Sequence, residues 1–277
     1  MDLYTHNALH LSKLTTKNYS TSFSLGVSLL QKEYRLPIYG IYGFVRVADE
    51  IVDTFHDQNK ERKLAEFRKD TFQSIEDGMS TNPILHAFQW VVNEYGIDAR
   101  LIDAFLVSME MDLSKKEYTP EEFKQYVYGS AEVVGLMCLR VFYKGQDEAY
   151  EALIPPARKL GEAFQKINFL RDIQSDYEER GRFYFPGVEM HTFNNTTKNL
   201  IEQDIQKDFD EAYSGVKKLN NASRLGVLVS YTYYRRLFDK IRKTDASNIF
   251  KKRYRISNVR KIWILVQSAI AVKLGIK

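Results

Sequence analysis

The chain has 277 residues, 44% of them hydrophobic and 27% charged, a net charge of +4 and one cysteine, Cys138. That balance belongs to a globular protein and excludes a disordered or fibrous chain. A single thiol excludes an internal disulfide, and no run reaches the ~18 apolar residues of a membrane span.

A reducing compartment follows from the cysteine count, and the opening residues lack the basic start and apolar core of a secretory signal. A cytoplasmic protein is expected. Six prolines and fourteen glycines punctuate long stretches of helical periodicity, and strand-like alternation is scarce. The pattern predicts an all-α helical bundle in a single domain over 1–277. Breaks are expected near Pro37, Asn82-Pro83, Thr119-Pro120, Pro155-Pro156, Gly181 to Gly187 and Thr244 to Asn248.

The first chemistry-bearing stretch is "IYGFVRVADEIVDTF". At about 100° per residue, Tyr42, Arg46, Asp49 and Asp53 form one stripe, and Val45, Ala48, Ile51, Val52 and Phe55 form a core face. Gly43, Glu50 and Thr54 widen the polar arc, so this stripe alone fits a helix edge as well as a site. Further on, Gly129, Ala131 and Gly135 lie in an apolar helix. They leave room for an apolar ligand or permit close helix packing.

The segment "NFLRDIQSDY" follows. Gly161, Gln165, Asn168, Asp172 and Asp176 make a narrow stripe bordered by Phe164 and Phe169. A solvated face is usually wide and rich in Lys and Glu, so this stripe points into an enclosed site. Like charges one helical turn apart destabilise by about 0.2–0.5 kcal/mol, and a cation is expected to compensate. Next, Phe183-Tyr184-Phe185 lies between Gly181 and Pro186 with Arg180 and Arg182 beside it, as a lid or wall would.

Asp204 and Asp208 repeat the same spacing in "NLIEQDIQKDFDEAYSGVKKL". They share a face with Glu, Gln and Lys and are expected on solvent. Asp57 is expected at a helix end. From Arg235 to Lys261 there are eleven Lys/Arg against Asp239 and Asp245. Such a segment suits anionic lipid, a phosphorylated substrate or a solvated helix face. No nucleic-acid motif accompanies it, and no nucleic-acid partner is expected. The apolar stretch Ile262 to Ile276, broken by Gln267, Ser268 and Lys273, makes this end a candidate peripheral membrane contact.

Two carboxylate pairs on two helices suit Mg²⁺, which takes one or two carboxylates plus phosphate oxygens and keeps several waters. Mn²⁺ is an alternative. Arg46 and Arg171 add donors to the same anion. There is no zinc-type His/Cys cluster and no Gly-rich phosphate loop. A diphosphate would then be held through metal and side chains.

Over nearly its whole length the sequence resembles the squalene and phytoene synthase family of head-to-head prenyl transferases. The first aspartate motif matches "RVADEIVD", the second "NFLRDIQSDYEERGRFYFP", and a third block "YGSAEVVG", from Tyr128 to Gly135. The resemblance implies an all-α isoprenoid-synthase fold with a central cavity between the two Asp-bearing helices. It implies Mg²⁺–diphosphate ligation by Asp49, Asp53, Asn168, Asp172 and Asp176. Arg46, Gln165, Arg171, Tyr184 and Arg255 match positions near the diphosphates. Tyr42 matches an aromatic near the reacting carbons, Ser20, Ser22 and Phe23 a hydroxyl-rich mouth, and Tyr128 a substrate contact. Glu132 stands where the family usually has Gly, and pointing inward it would be awkward in a tail-binding region.

"ADEIVD" and "RGRFYFP" look closer to the phytoene branch. This implies condensation of two geranylgeranyl diphosphates without NADPH. A squalene or dehydrosqualene synthase using farnesyl diphosphate is the nearest alternative, and a non-catalytic relative a more distant one. A monomer or weak homo-oligomer is expected.

Overall fold

Helix boundaries follow the chain's own caps and breakers. In the computed structural model, which describes residues 1–188, 190–251 and 253–273, every regular element is helical among the described residues. The α-helices are α1 (Leu3–Tyr19), α2 (Thr21–Ser28), α3 (Lys32–Asp53), α4 (Lys60–Asp77), α5 (Pro83–Tyr95), α6 (Ala99–Ser114) and α7 (Pro120–Val127). After them come α8 (Val133–Phe142), α9 (Asp147–Arg180), α10 (Asn195–Lys218), α11 (Asn221–Arg242), α12 (Ala246–Ile249) and α13 (Asn258–Lys273). A π turn, Tyr128–Glu132, joins α7 to α8 without a break. The end of the apolar stretch to Ile276, residues 274–276, lies outside the described residues.

Asn82 caps α5 ahead of Pro83, and Thr119 with Glu122 forms a capping box ahead of Pro120. Gly181 ends α9 at φ 65°, a left-handed cap that only Gly adopts at no cost. Pro37 and Pro155-Pro156, expected as breaks, instead lie inside α3 and α9. The carbonyls they leave without an N–H belong to Glu33, Glu151 and Ala152, one turn back. All three residues are exposed, where a carbonyl without an N–H partner costs least.

Two apolar cores result. One, built largely on α1, α3, α5, α6 and α8, centres on Leu9, Phe44, Phe88 and Phe105, with Phe44 stacked on Phe88 at 3.8 Å. The other, on α9, α10 and α11, centres on Ile167, Leu170, Phe209 and Phe238. Helix α3 belongs to the first and most of α9 to the second. The space between them is what positions the site.

Candidate active site

A cavity of about 300 Å³ lies between the two cores. On α9 its wall is Leu153, Pro156, Ala157, Leu160, Gly161, Phe164, Gln165 and Asn168. The steps of three and four keep one helical face turned inward along roughly 22 Å, at about 1.5 Å per residue. On α3 the wall is Ile38, Tyr42 and Val45, and α2, α8, α10 and α11 close the sides. Both stripes change character at the same end. Ile38, Tyr42 and Val45 lead to Asp49 and Asp53, and the apolar face of α9 leads through Gln165 and Asn168 to Asp172 and Asp176. The cavity is apolar along its length and acidic at one mouth.

Arginines link the acids there. Arg180 Nε lies 3.3 Å from Asp53 and its Nη1 donates to Asp176 at 3.1 Å, tying the two helices together. Arg182 Nη1 reaches Asp53 at 3.3 Å. Arg171 donates to Asp172 through Nε at 3.0 Å and Nη2 at 2.5 Å, and Arg253 Nε lies 2.7 Å from the same carboxylate. Arg46 pairs with Asp49 and Glu50 and covers the Tyr19 ring at 4.1 Å. Asn168 accepts from the Tyr234 hydroxyl at 3.2 Å and donates to Gln165 at 3.4 Å.

Burial, then the neighbouring Asp172, pushes Asp176 up to about 7 against the pull of Arg180. Burial also raises the Asp49 carboxyl, with Asp53 adding to it and Arg46 opposing. Carboxyls crowded in this way have more negative charge than their surroundings relieve. An all-oxygen donor set of that kind fits a hard divalent cation such as Mg²⁺.

Two stacked aromatic pairs line the cavity beside the acids. Phe23 lies on Tyr42 at 4.7 Å and Phe164 on Tyr234 at 3.9 Å. Burial raises the Tyr42 hydroxyl, with Arg46 and a hydrogen bond to Ser20 opposing. Ser20 also caps α2, accepting from the Phe23 N–H at 3.3 Å. Ser22 is half-buried in the first turn of the same helix.

Tyr128, Arg255 and Asp208 stand elsewhere than expected, and Tyr184 takes one of its two expected forms. Tyr128 does not line the cavity. It covers Arg158 at 5.0 Å and borders an outer depression with Arg100 and Asp103. Arg255 is exposed and offers its carbonyl to Lys240; Arg253, two residues earlier, reaches Asp172 instead. Tyr184 is buried behind the acids. Its ring stacks on Phe169 at 4.2 Å, and Phe183 and Phe185 are buried beside it, a wall and not a lid. Asp208, expected on solvent, is 1% exposed. In the third block, Ala131 and Gly135 line the cavity, but Gly129 is a packing glycine, since a Cβ there would sit 2.3 Å from the Ala104 carbonyl oxygen. Glu132 turns away from the cavity and accepts from Arg158 Nε at 2.5 Å.

Behind Arg182 lies a group that the motifs did not single out. Asp112 on α6 is buried and accepts from the hydroxyls of Tyr126 at 2.8 Å, Tyr184 at 3.3 Å and Tyr118 at 3.4 Å. Arg182 Nη2 donates to the Asp112 carbonyl at 2.6 Å and Nη1 to the Tyr184 oxygen at 3.4 Å. Burial pushes Asp112 up to about 7, against Arg182 and the Tyr126 hydrogen bond. The network fixes the guanidinium that reaches Asp53. The sequence signal was an Asp at the spacing of Leu106 and Met109 on an otherwise apolar face.

A second acidic group, Glu162, Asp204 and Asp208, brings three carboxylates within 4.8 Å of one another. Two ammonium groups already occupy that place. Lys166 Nζ contacts Glu162 at 2.6 Å, Asp208 at 2.7 Å and Asp204, and Lys159 Nζ contacts Glu162 at 2.8 Å and Asp208 at 2.9 Å. It is an internal ion cluster between α9 and α10.

Residues 16–260 match the family model described as squalene/phytoene synthase. Phytoene synthase 2, chloroplastic, of Oryza sativa subsp. japonica is 28% identical over 274 residues, taking in 92% of this chain and 68% of that one. Phytoene synthase 2, chloroplastic, of Zea mays is 30% identical over 254 residues, taking in 85% of this chain and 63% of that one, under two thirds of its length. A dehydrosqualene synthase crystallised in complex with a ligand superposes with a TM-score of 0.84 at 23% identity, covering 97% of this chain and 98% of that one. A squalene synthase from Alicyclobacillus acidocaldarius gives 0.73 at 19% identity, covering 87% and 94%. At these identities the two structures share the fold.

Proposed function

The chain belongs to the squalene/phytoene synthase family, and on that premise we propose that it condenses two geranylgeranyl diphosphates head to head into phytoene. The reaction passes through a cyclopropylcarbinyl diphosphate that ionises, rearranges and loses a proton, with release of two pyrophosphates. The observation that supports this most is the shared change of character along α3 and α9. It offers a prenyl diphosphate one orientation, tail along the apolar wall and head among the acids and arginines. The named plant relatives are phytoene synthases, which favours C20 over C15 substrates.

Asp49, Asp53, Asp172 and Asp176 with Asn168 are the residues that would hold Mg²⁺. Bound there, it would stabilise charge developing on the leaving diphosphate. Arg46, Arg171 and Arg253, which pair with the acids, would donate to diphosphate oxygens. Arg182, held by Asp112 and Tyr184, orients Asp53. Phe23, Tyr42, Phe164 and Tyr234 present π faces beside the head-group site, where they favour a carbocation over water. The rest of the wall keeps the reacting carbons dry.

Offering C15 and C20 diphosphates with Mg²⁺, with and without NADPH, and identifying the hydrocarbon by mass tests the proposal. A C40 product formed without NADPH is expected. A C30 product would reassign the chain to dehydrosqualene synthesis, or to squalene synthesis if NADPH is required. Absence of pyrophosphate release from either substrate would leave a non-catalytic relative.

A further inference from the structure

Helix α13 carries its apolar residues on the wrong side for a helix that only closes a core. Val259, Ile262, Trp263, Val266 and Ile270 recur at steps of three and four, and all are exposed, from 43% for Val266 to 76% for Val259. At about 100° per residue they fall within one arc of roughly 100°. The opposite side buries Ile264 and Ser268 against the body of the protein. A contiguous exposed apolar row of this kind marks an interaction surface.

Beside the row runs a groove of about 920 Å³ between α11 and α13. Arg236, Lys240, Arg242, Lys243 and Arg260 line it, with Asp239 the only acid among its lining residues. Among the described residues none of these five cations pairs with a carboxylate. Trp263 belongs to both features, one of the exposed row and also a wall of the groove.

We propose that this face of α13, with the α11–α13 groove, docks the protein on an anionic phospholipid bilayer. The two features match the two layers of a lipid surface. The apolar row enters the acyl boundary, where amphipathic helices bury their apolar faces about 5–10 Å deep, and the groove takes phosphate head groups. A nucleic acid would leave the apolar row wet, and a second copy of the chain would set the two basic grooves against each other. No described helix is long and apolar enough to cross a membrane, so the contact is at the surface.

The placement gives the surface a use. Lys261 Nζ donates to Thr21 Oγ1 at 3.0 Å and lies over Tyr233 at 5.8 Å. Thr21 stands two residues before Phe23, and Tyr233 is next to Tyr234, both on the cavity wall. The proposed membrane face therefore contacts residues next to the cavity wall, which would bring an apolar product close to the bilayer. That last step rests on the function proposed above; the docking does not, and its test reads binding without turnover.

The full chain is mixed with vesicles of phosphatidylcholine alone or with added phosphatidylglycerol, and co-sedimentation is measured. Binding to the anionic vesicles only is expected. In a Trp90→Phe background, Trp263 emission should shift to the blue on binding, a readout that needs no surface variant to fold. Ile262→Asp with Val266→Asp should abolish binding. Arg236→Gln with Lys243→Gln should weaken it roughly 30-fold, the effect of two surface charges. Equal binding to neutral vesicles, no binding, or binding indifferent to both pairs of substitutions would overturn the proposal. So would sedimentation velocity showing self-association that the two Asp substitutions abolish while vesicles stay unbound, which would assign the face to a second copy.

Discussion

Around Lys166, the carboxylates of Glu162, Asp204 and Asp208 meet two ammonium groups packed between α9 and α10. Two turns further along the same helix, Asp172 and Asp176 meet Arg171 and Arg180 of α9 itself, beyond the polar end of the cavity. Both clusters rest on an Asp-x-x-x-Asp spacing. In the first, lysines sit among the acids: against burial they hold the Glu162 carboxyl below its ordinary value, although burial still raises Asp208. In the second, Asp176 stays raised to about 7 even with Arg180 beside it, and the polar end of the cavity lies two turns back at Asn168. Carboxylate spacing is therefore no guide to a site. What distinguishes the two is the partner cations and the neighbourhood, lysines between α9 and α10 in one and arginines beyond the cavity's polar end in the other.

The largest expected effect is on turnover. Asp172→Asn and Asp176→Asn should each reduce it by ~10²–10³-fold, as loss of charge stabilisation does elsewhere, while circular dichroism stays native and the melting temperature does not fall. If the variants instead unfold, the mouth cluster is structural like its neighbour.

On the other side of the comparison, Lys166→Met should destabilise the fold by about 3–5 kcal/mol in urea unfolding, because it leaves buried Asp208 and two neighbouring carboxylates with Lys159 alone. Adding Asp208→Leu should recover much of that loss. A Lys166→Met protein of native stability would mean that the cluster is solvated after all.

Acid should separate the clusters next. Asp112 and Asp176 both sit near 7 in the folded chain against an ordinary value of 3.8. A raised carboxyl costs stability above its folded pKa, and the cost fades as pH falls from about 7 toward about 4. Their contribution to the melting temperature should therefore rise on acidification through that window. Asp176→Asn should flatten the rise. Mg²⁺ at pH 8 should stabilise the wild-type chain but not the variant, by differential scanning fluorimetry. The smallest effect belongs to Asp204→Asn, whose side chain is 59% exposed. Less than about 1 kcal/mol of stability and no turnover should be lost.

The acid stripes on α3 and α9 were legible because a straight helix keeps its period, so residues at steps of three and four share a face. Where the period changes, the sequence misleads. The π turn at Tyr128–Glu132 inserts a wider turn. It leaves Tyr128 outside while Ser130 and Ala131 reach the cavity. Arg253 and Arg255 lie in a non-helical stretch with no period to choose between them. Asp208 was misjudged because its partners Lys159 and Lys166 are more than 40 positions away on another helix. The polar neighbours on its own helix showed only that α10 has a wet side. Pro37 and Pro155 read as breaks because a local rule cannot see that the carbonyls they orphan belong to exposed residues.

Cys138, the only thiol, stands in the cavity wall near Val134 and Leu139. Burial pushes it up to about 12, so almost none is thiolate at neutral pH. Oxidants and water-borne alkylating reagents should pass it by, and the protein should keep a free sulfhydryl in aerated buffer. The same position makes it a reporter of occupancy. A slim apolar maleimide should label Cys138 slowly in the empty protein and more slowly still when a prenyl chain fills the cavity. Mass spectrometry of that single adduct would then count loaded molecules without waiting for a product to form.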